Sequence, residues 1–278
     1  MNFTPLRTLK KAAFTVVTSA LIITPALAHD IYIWPSYFTT NTDKATHVSV
    51  DVTASHSPFR PDFAMDSSGV KVLGVDGKQL RRFGPYYQGQ RRSSFDLPIQ
   101  EAGTYGLIYQ REASYFTKYL IGKRDTEKHM RANKVEAIEK LPKDARDVET
   151  RSYSTIAMSF VTNKAPSSEV LMPKNKGFEL IPITHPADYV TEEKLEVKAL
   201  FNGEPVADQS ITIEREGSQY REDSESLEIT TNKAGIAHFS LKNGGRYILK
   251  SNHEKQSDDD LADIDVTRIF YAFEVIFE

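Results

Sequence analysis

The sequence has no cysteine and only one tryptophan among its 278 residues. Without cysteine the protein has no disulfide bond, no thiol nucleophile, no thiolate metal ligand and no cysteine to carry a lipid anchor. The motifs of common enzymes are also missing, since there is no Gly-x-Ser-x-Gly, no His-Glu-x-x-His and no glycine-rich phosphate loop. These absences predict that the protein is not an enzyme.

Long apolar stretches are scarce. Residues 12–23 form the one such run, with three cations before it and the small-x-small triplet Ala26-Leu27-Ala28 after it. This order is typical of a secretory signal, and polar residues make the run too short for the roughly 20 apolar residues of a spanning helix. We therefore predict a signal peptide over residues 1–28 and a periplasmic protein that begins at His29 and has no membrane span.

Net positive charge is absent too. The formal net charge is −3, and subtracting the signal cations Arg7, Lys10 and Lys11 makes it −6. An acidic exported protein is not expected to bind nucleic acid. The length that remains after cleavage is sufficient for two domains of ordinary size, each with its own core.

The predicted fold class is all-β, with two immunoglobulin-like β-sandwich domains. From His47 to Ser55 apolar and polar residues alternate, as in a strand with one face on a core and one in water. Residues 124–141 are rich in Lys, Glu, Arg and Ala, which predicts a small helical insertion over 123–161 within a first domain that covers 29–165. A linker over 166–176 precedes the second domain, 177–278, where Asn243-Gly244 predicts a hairpin between two strands.

Several segments resemble one family of exported proteins. They are His29 to Pro35, Gly177 to Pro182, His185-Pro186, Asn202-Gly203 and Gly244 to Tyr247. In this order they resemble the domain-of-unknown-function 4198 (DUF4198) proteins, many of which are labelled as nickel or cobalt uptake periplasmic components. The resemblance spans nearly the whole mature chain. It implies a two-domain β protein that handles transition metals.

The predicted metal ligands start at the mature N-terminus. Cleavage would give His29 a free α-amine beside its imidazole, and such nitrogen pairs suit Ni(II), Co(II), Cu(II) or Zn(II). His56, at the end of a strand, or His253, where the family often has a histidine, would add a ligand, with Asp30 or Asp51 assisting. No short spacing pairs the internal histidines, which favours an ordinary surface or strand-end position for each of them.

Three functional hypotheses follow. The first is a periplasmic accessory protein that binds a divalent transition metal of the nickel or cobalt type and presents it to a membrane transporter. The second is an exported, non-catalytic interaction module that binds a protein or glycan without metal, using the Arg- and Tyr-rich stretch Arg81 to Arg92. The third, a copper-dependent redox enzyme, is disfavoured because no second histidine stands at a fixed spacing from His29.

Overall fold

The structure, a computed structural model, describes residues 30–222 and 226–278. His29 and the predicted signal peptide lie outside the described residues, so the cleavage site and the periplasmic location stay predictions. Within the described ranges the chain forms eighteen β-strands and one α-helix. None of the helices there is long and apolar enough to cross a bilayer.

The strands of the first half are β1 (Asp30–Pro35), β2 (Thr39–Thr40), β3 (Thr46–Ser55), β4 (Phe63–Ala64), β5 (Val70–Leu73), β6 (Tyr86–Gln88), β7 (Ser93–Ile99), β8 (Gly103–Ile121), β9 (Thr126–Met130) and β10 (Arg146–Asn163). Helix α1 (Lys134–Lys140) lies between β9 and β10. The strands of the second half are β11 (Phe178–Pro182), β12 (Leu195–Phe201), β13 (Glu204–Pro205), β14 (Ser210–Arg215), β15 (Leu227–Thr230), β16 (Ile236–Phe239), β17 (Gly245–Gln256) and β18 (Ile264–Val275).

These strands form three sheets in the described part of the chain. The first outer sheet has the order β1-β3-β7-β6, with β4 paired to β3. The central sheet has the order β15-β14-β17-β18-β10-β8-β5, with β2 beside β10 and β9 beside β8. The second outer sheet contains β11, β12, β13 and β16. The central sheet therefore contains strands from both halves of the sequence, joined where β10 and β18 run parallel.

The two faces of the central sheet carry two separate cores. Ile248 of β17 and Phe270 of β18 belong to the core against the first outer sheet, whereas their neighbours Leu249 and Tyr271 belong to the core against the second. Successive residues of a strand point to opposite faces, so β17 and β18 are apolar on both sides. The predicted all-β class with two sandwiches and a small helix is confirmed, and the two sandwiches share their middle sheet.

Two local predictions need correction. The predicted helical insertion over 123–161 contains a helix of only seven residues, and most of the remainder belongs to β9 and β10. The predicted hairpin around Asn243-Gly244 does not form, because β16 pairs with β12 while β17 pairs with β14 and β18. In both cases the pairing is decided by sheet packing, which local composition does not report.

Candidate functional site

Asp30 opens β1 and pairs with Ser55, the last residue of β3. Its Oδ1 accepts a hydrogen bond from Nη2 of Arg268 at 2.8 Å. Its Oδ2 lies 2.8 Å from Nζ of Lys250 and accepts a hydrogen bond from the Tyr32 hydroxyl at 3.2 Å. Both carboxylate oxygens are thus engaged within the protein, and Asp30 acts as the centre of a partly buried ion cluster.

The cluster is electrostatically balanced. Lys250 also lies 2.9 Å from Oε2 of Glu214. Burial by itself would lower the pKa of Lys250, but the charges of Asp30 and Glu214 outweigh it and raise the pKa, so the ammonium is retained. Burial, reinforced by Asp30, raises the pKa of Tyr32 far above its ordinary value, so its hydroxyl stays a donor. Asp30 is therefore poorly suited to bind a metal ion as well.

Asp51, the second predicted carboxylate, lies elsewhere on β3. Its Oδ2 is 3.0 Å from Nη1 of Arg92, and its Oδ1 accepts a hydrogen bond from the Ser94 hydroxyl at 2.6 Å. Ser55 is four positions after Asp51 along β3, about 13 Å at the usual rise. The structure does not bring Asp51 to the start of β1.

His253 lies on the opposite face of the central sheet from Lys250, because the two residues are three positions apart in β17. Its ring stacks on Phe178 at a centroid distance of 4.7 Å and an interplanar angle of 12°, and Phe201 lies on it at 5.0 Å. Burial lowers the pKa of His253. His253 is thus a neutral, aromatic-packed residue, and the structure does not bring it to Asp30 or His56.

The tautomer of His253 follows from its neighbour. The side-chain amide of Gln209 donates from Nε2 to the Ser251 hydroxyl and to the carbonyl of Asn252, both at 2.9 Å. Oε1 of Gln209 is then an acceptor, and it lies 3.1 Å from Nδ1 of His253. The His253 proton therefore resides on Nδ1.

His56 directly follows β3 and lies beside the start of β1. Its Nδ1 is 3.4 Å from Oδ2 of Asp62, the same oxygen that accepts the backbone N–H of His56 and the Ser55 hydroxyl, each at 3.1 Å. The hydrogen bonds, chiefly from the His56 backbone, lower the pKa of Asp62 and keep it ionised. The imidazole is 67% exposed. An exposed imidazole and an ionised carboxylate thus stand side by side.

Asp62 was not among the predicted ligands. It reaches His56 because the chain turns after β3 and returns, with the N–H of Asp62 bonded to the carbonyl of Ala54. The sequence signal for this turn is the pair of prolines at 58 and 61, which is typical of a tight connection. A carboxylate placed directly after such a turn is one that sequence reasoning could have included.

The remaining predicted ligand, His29, is peptide-bonded to Asp30. Consecutive Cα atoms lie about 3.8 Å apart, and Asp30 is already paired with Ser55. His29 itself lies outside the described residues, and the pairing of Asp30 is with the residue that precedes His56. Among residues 30–222 and 226–278, no group of three or more His, Cys, Asp or Glu side chains could hold a metal ion. The described residues contribute two donors here, His56 and Asp62.

The stretch Arg81 to Arg92 is partly structural. Arg92 pairs with Asp51, and the Tyr86 hydroxyl donates to the carbonyl of Met65 at 2.7 Å. Tyr87, on the edge strand β6, is highly exposed. The interaction-module hypothesis based on this stretch stays a prediction.

Comparison with known proteins gives one family. The family described as domain of unknown function (DUF4198) matches residues 26–255. No curated protein matches the chain.

Similar solved structures include the D0-D1 domain of intimin, with 11% identity, coverage of 87% of this chain and 96% of that one, and a TM-score of 0.21. They also include the two tandem V-type regions of VCBP3, a v-region-containing chitin binding protein, with 9% identity, coverage of 87% and 99%, and a TM-score of 0.20.

Proposed function

The chain belongs to the DUF4198 family, and on that premise we propose that it is an exported periplasmic accessory protein of divalent transition-metal uptake. It binds an ion of the nickel or cobalt type beside the start of β1 and presents it to a membrane transporter. No catalytic step is involved.

One observation supports this proposal above the others. His56 and Asp62 are 3.4 Å apart, Asp62 is ionised, and both follow the strand that pairs with the start of β1. Metal ligands must be deprotonated, and imidazole suits the borderline divalent ions. If cleavage occurs after Ala28, the amine and imidazole of His29 add two nitrogens to this pair. The set then has three nitrogens and one carboxylate.

The proposed ligands differ from those expected from the sequence. Asp30 and Asp51 are bound to cations of the protein, and His253 is packed between aromatic rings on the far side of the central sheet. We therefore assign the site to His29, His56 and Asp62. The family resemblance supports a transition metal as the ligand. The nitrogen and carboxylate donors suit divalent ions of the nickel or cobalt type.

Calorimetric titration of the mature protein with Ni(II), Co(II), Cu(II) and Zn(II) tests the proposal. His56→Ala, Asp62→Asn and a protein with one glycine added before His29 should each bind at least about tenfold more weakly. The matched control is His129→Ala, since His129 also pairs with a carboxylate, Glu127, at 3.0 Å but lies on β9.

The control should bind as the wild type does. Equal affinity in the wild type and in the three site variants would refute the assigned ligands. Mass spectrometry that finds another N-terminal residue in the exported protein would remove the terminal amine from the site.

A further inference from the structure

A groove of about 680 Å³ lies between the end of β3 and the middle of β8. Small-molecule sites typically have volumes of about 300–1,000 Å³. Neither His56 nor Asp62 lines it, so the groove is distinct from the proposed metal site. Its walls combine apolar side chains with charged ones.

A β-bulge shapes the groove. The β8–β10 ladder pairs Tyr153 with Ser114 and Thr155 with Arg111, so residues 112 and 113 lie opposite a single residue, Ser154. Such bulges bend a strand and redirect its side chains, and they are frequent beside functional sites. Arg111 and Ser114, on either side of the bulge, both line the groove. A second cavity of about 250 Å³ adjoins it and shares Ser114 and Arg131.

Two carboxylates line the groove, Asp66 and Glu112, and Asp66 is already engaged by protein donors. Oδ1 of Asp66 accepts hydrogen bonds from the backbone N–H of Ser68, at 2.9 Å, and from its hydroxyl. Burial and then the charge of Asp66 raise the pKa of Tyr109 to about 12, so Tyr109 remains a donor toward Asp66. The hydrogen bonds, chiefly from Ser68, lower the pKa of Asp66. Its negative charge is therefore held by protein donors.

Among the described residues, the two arginines of the groove form no ion pair, although the charge of Arg111 helps to lower the pKa of Asp66. In the described part of the chain, neither Arg111 nor Arg131 has a carboxylate within ion-pair distance, and both side chains line the groove. Their guanidinium groups match the planar geometry of a carboxylate, which they can bind with two hydrogen bonds. The lining has as many carboxylates as arginines, so the two arginines offer paired donors to an anion rather than a net positive charge.

The apolar side chains of the groove favour a ligand with a carbon skeleton over a purely inorganic anion. Phe63 is 52% exposed, and Met65 is partly exposed beside it. We propose that the groove binds a small organic carboxylate, with Arg111 and Arg131 on the carboxylate and with Phe63 and Met65 against the carbon skeleton. This function is additional to metal binding and needs no metal ion.

Titration in the presence of EDTA tests the inference without interference from metal. The probes are benzoate and galacturonate, each beside its neutral counterpart, benzyl alcohol and galactose, together with inorganic phosphate. At least one carboxylate should bind more tightly than its neutral counterpart, and Arg111→Ala and Arg131→Ala should each weaken that binding by about tenfold or more. Phe63→Ala should weaken it as well.

The matched control is Arg124→Ala, because Arg124 is an exposed arginine that does not line the groove. It should bind as the wild type does, and circular dichroism should show that all variants are folded. The inference is overturned if neither carboxylate binds better than its neutral counterpart, or if both groove arginines can be removed without effect. It is also overturned if phosphate binds as tightly as the carboxylates, since the apolar wall would then contribute nothing.

Discussion

Oδ1 of Asp30 lies 2.8 Å from Nη2 of Arg268, although 238 positions separate the two residues in the sequence. Arg268 is almost fully buried, and its guanidinium lies 5.0 Å from the ring centroid of Phe270. The contact ties the first described residue of the chain to the last strand, β18. It holds the start of β1 against the central sheet, beside the end of β3 that His56 follows.

Asp30→Asn should destabilise the protein by about 2–4 kcal/mol, somewhat below the loss seen for fully buried pairs because Lys250 keeps Glu214. The loss arises because Arg268 would remain buried without this carboxylate. Denaturant unfolding measures it. Asp76→Asn is the control, since Asp76 forms an exposed ion pair with Lys78, and it should show no measurable change. Equal effects in both variants would mean that the Asp30 cluster contributes nothing beyond a surface pair.

The shared central sheet predicts that the two sandwiches unfold together. β10 pairs with β18 along Arg151–Met158 and Ile264–Tyr271, so neither half can lose its strands without exposing the other. Trp34, the one tryptophan, reports on the first core, and hydrogen exchange at the Leu249 amide reports on the second. The two probes should give coincident transitions in denaturant. Separate transitions would instead support independent domains over 29–165 and 177–278.

The sequence predicts strands well where one face is apolar and the other polar. β3 is such a case, since Val48, Val50 and Val52 are buried and the predicted strand matches the observed one closely. The outer parts of β8, β9 and β10 expose much of both faces to water. Their polar composition then resembles that of a surface helix, which explains the excessive extent of the predicted helical insertion.

Pairing partners are harder to predict than strands. β16 and β17 are neighbours in sequence but lie in different sheets, so the Asn243-Gly244 turn connects two layers. The same limit applies to the site. His56 and Asp62 are close because the chain turns between them. His253 is separated from Asp30 because it is an odd number of positions from Lys250 in β17 and therefore points to the other face of the sheet. Neither relationship has a signature in local spacing.

Alanine substitutions at two glycines with nearly the same backbone conformation distinguish backbone strain from steric collision. Gly235 and Gly122 have φ values of +73° and +72°. A Cβ at Gly235 would lie 2.6 Å from the carbonyl oxygen of Ala199, whereas a Cβ at Gly122 meets no atom of the described residues within 4 Å. Gly122→Ala should cost about 1–2 kcal/mol of left-handed strain, and Gly235→Ala should cost a further ~1–3 kcal/mol for the forced shift.

Urea unfolding of both variants measures this difference. The turn before β16 holds Gly235 against β12, because the N–H of Ala199 also donates to the carbonyl of Gly235. The collision therefore cannot be relieved without disturbing that hydrogen bond. Equal losses in the two variants would show that the turn moves aside and that only the backbone conformation matters.

His253 should make the protein less stable in mild acid. Because burial lowers its pKa in the folded protein, the unfolded chain, with a value of about 6.5, takes up a proton first as the pH falls. Stability is therefore constant above that value, decreases as the pH falls below it, and levels off once the native pKa is passed. NMR titration of the imidazole should give a midpoint below 6.5.

Variants connect this titration to the packing of the ring. Phe178→Leu removes the ring stacked on His253, so it should admit water and raise the midpoint toward the ordinary value. His253→Phe should remove part of the loss of stability between neutral pH and pH 5 when denaturation is repeated across that range. If His253 instead titrated at or above 6.5 in the wild type, its ring would be solvated or bound to a charge, and its exclusion from the metal site would have to be reversed.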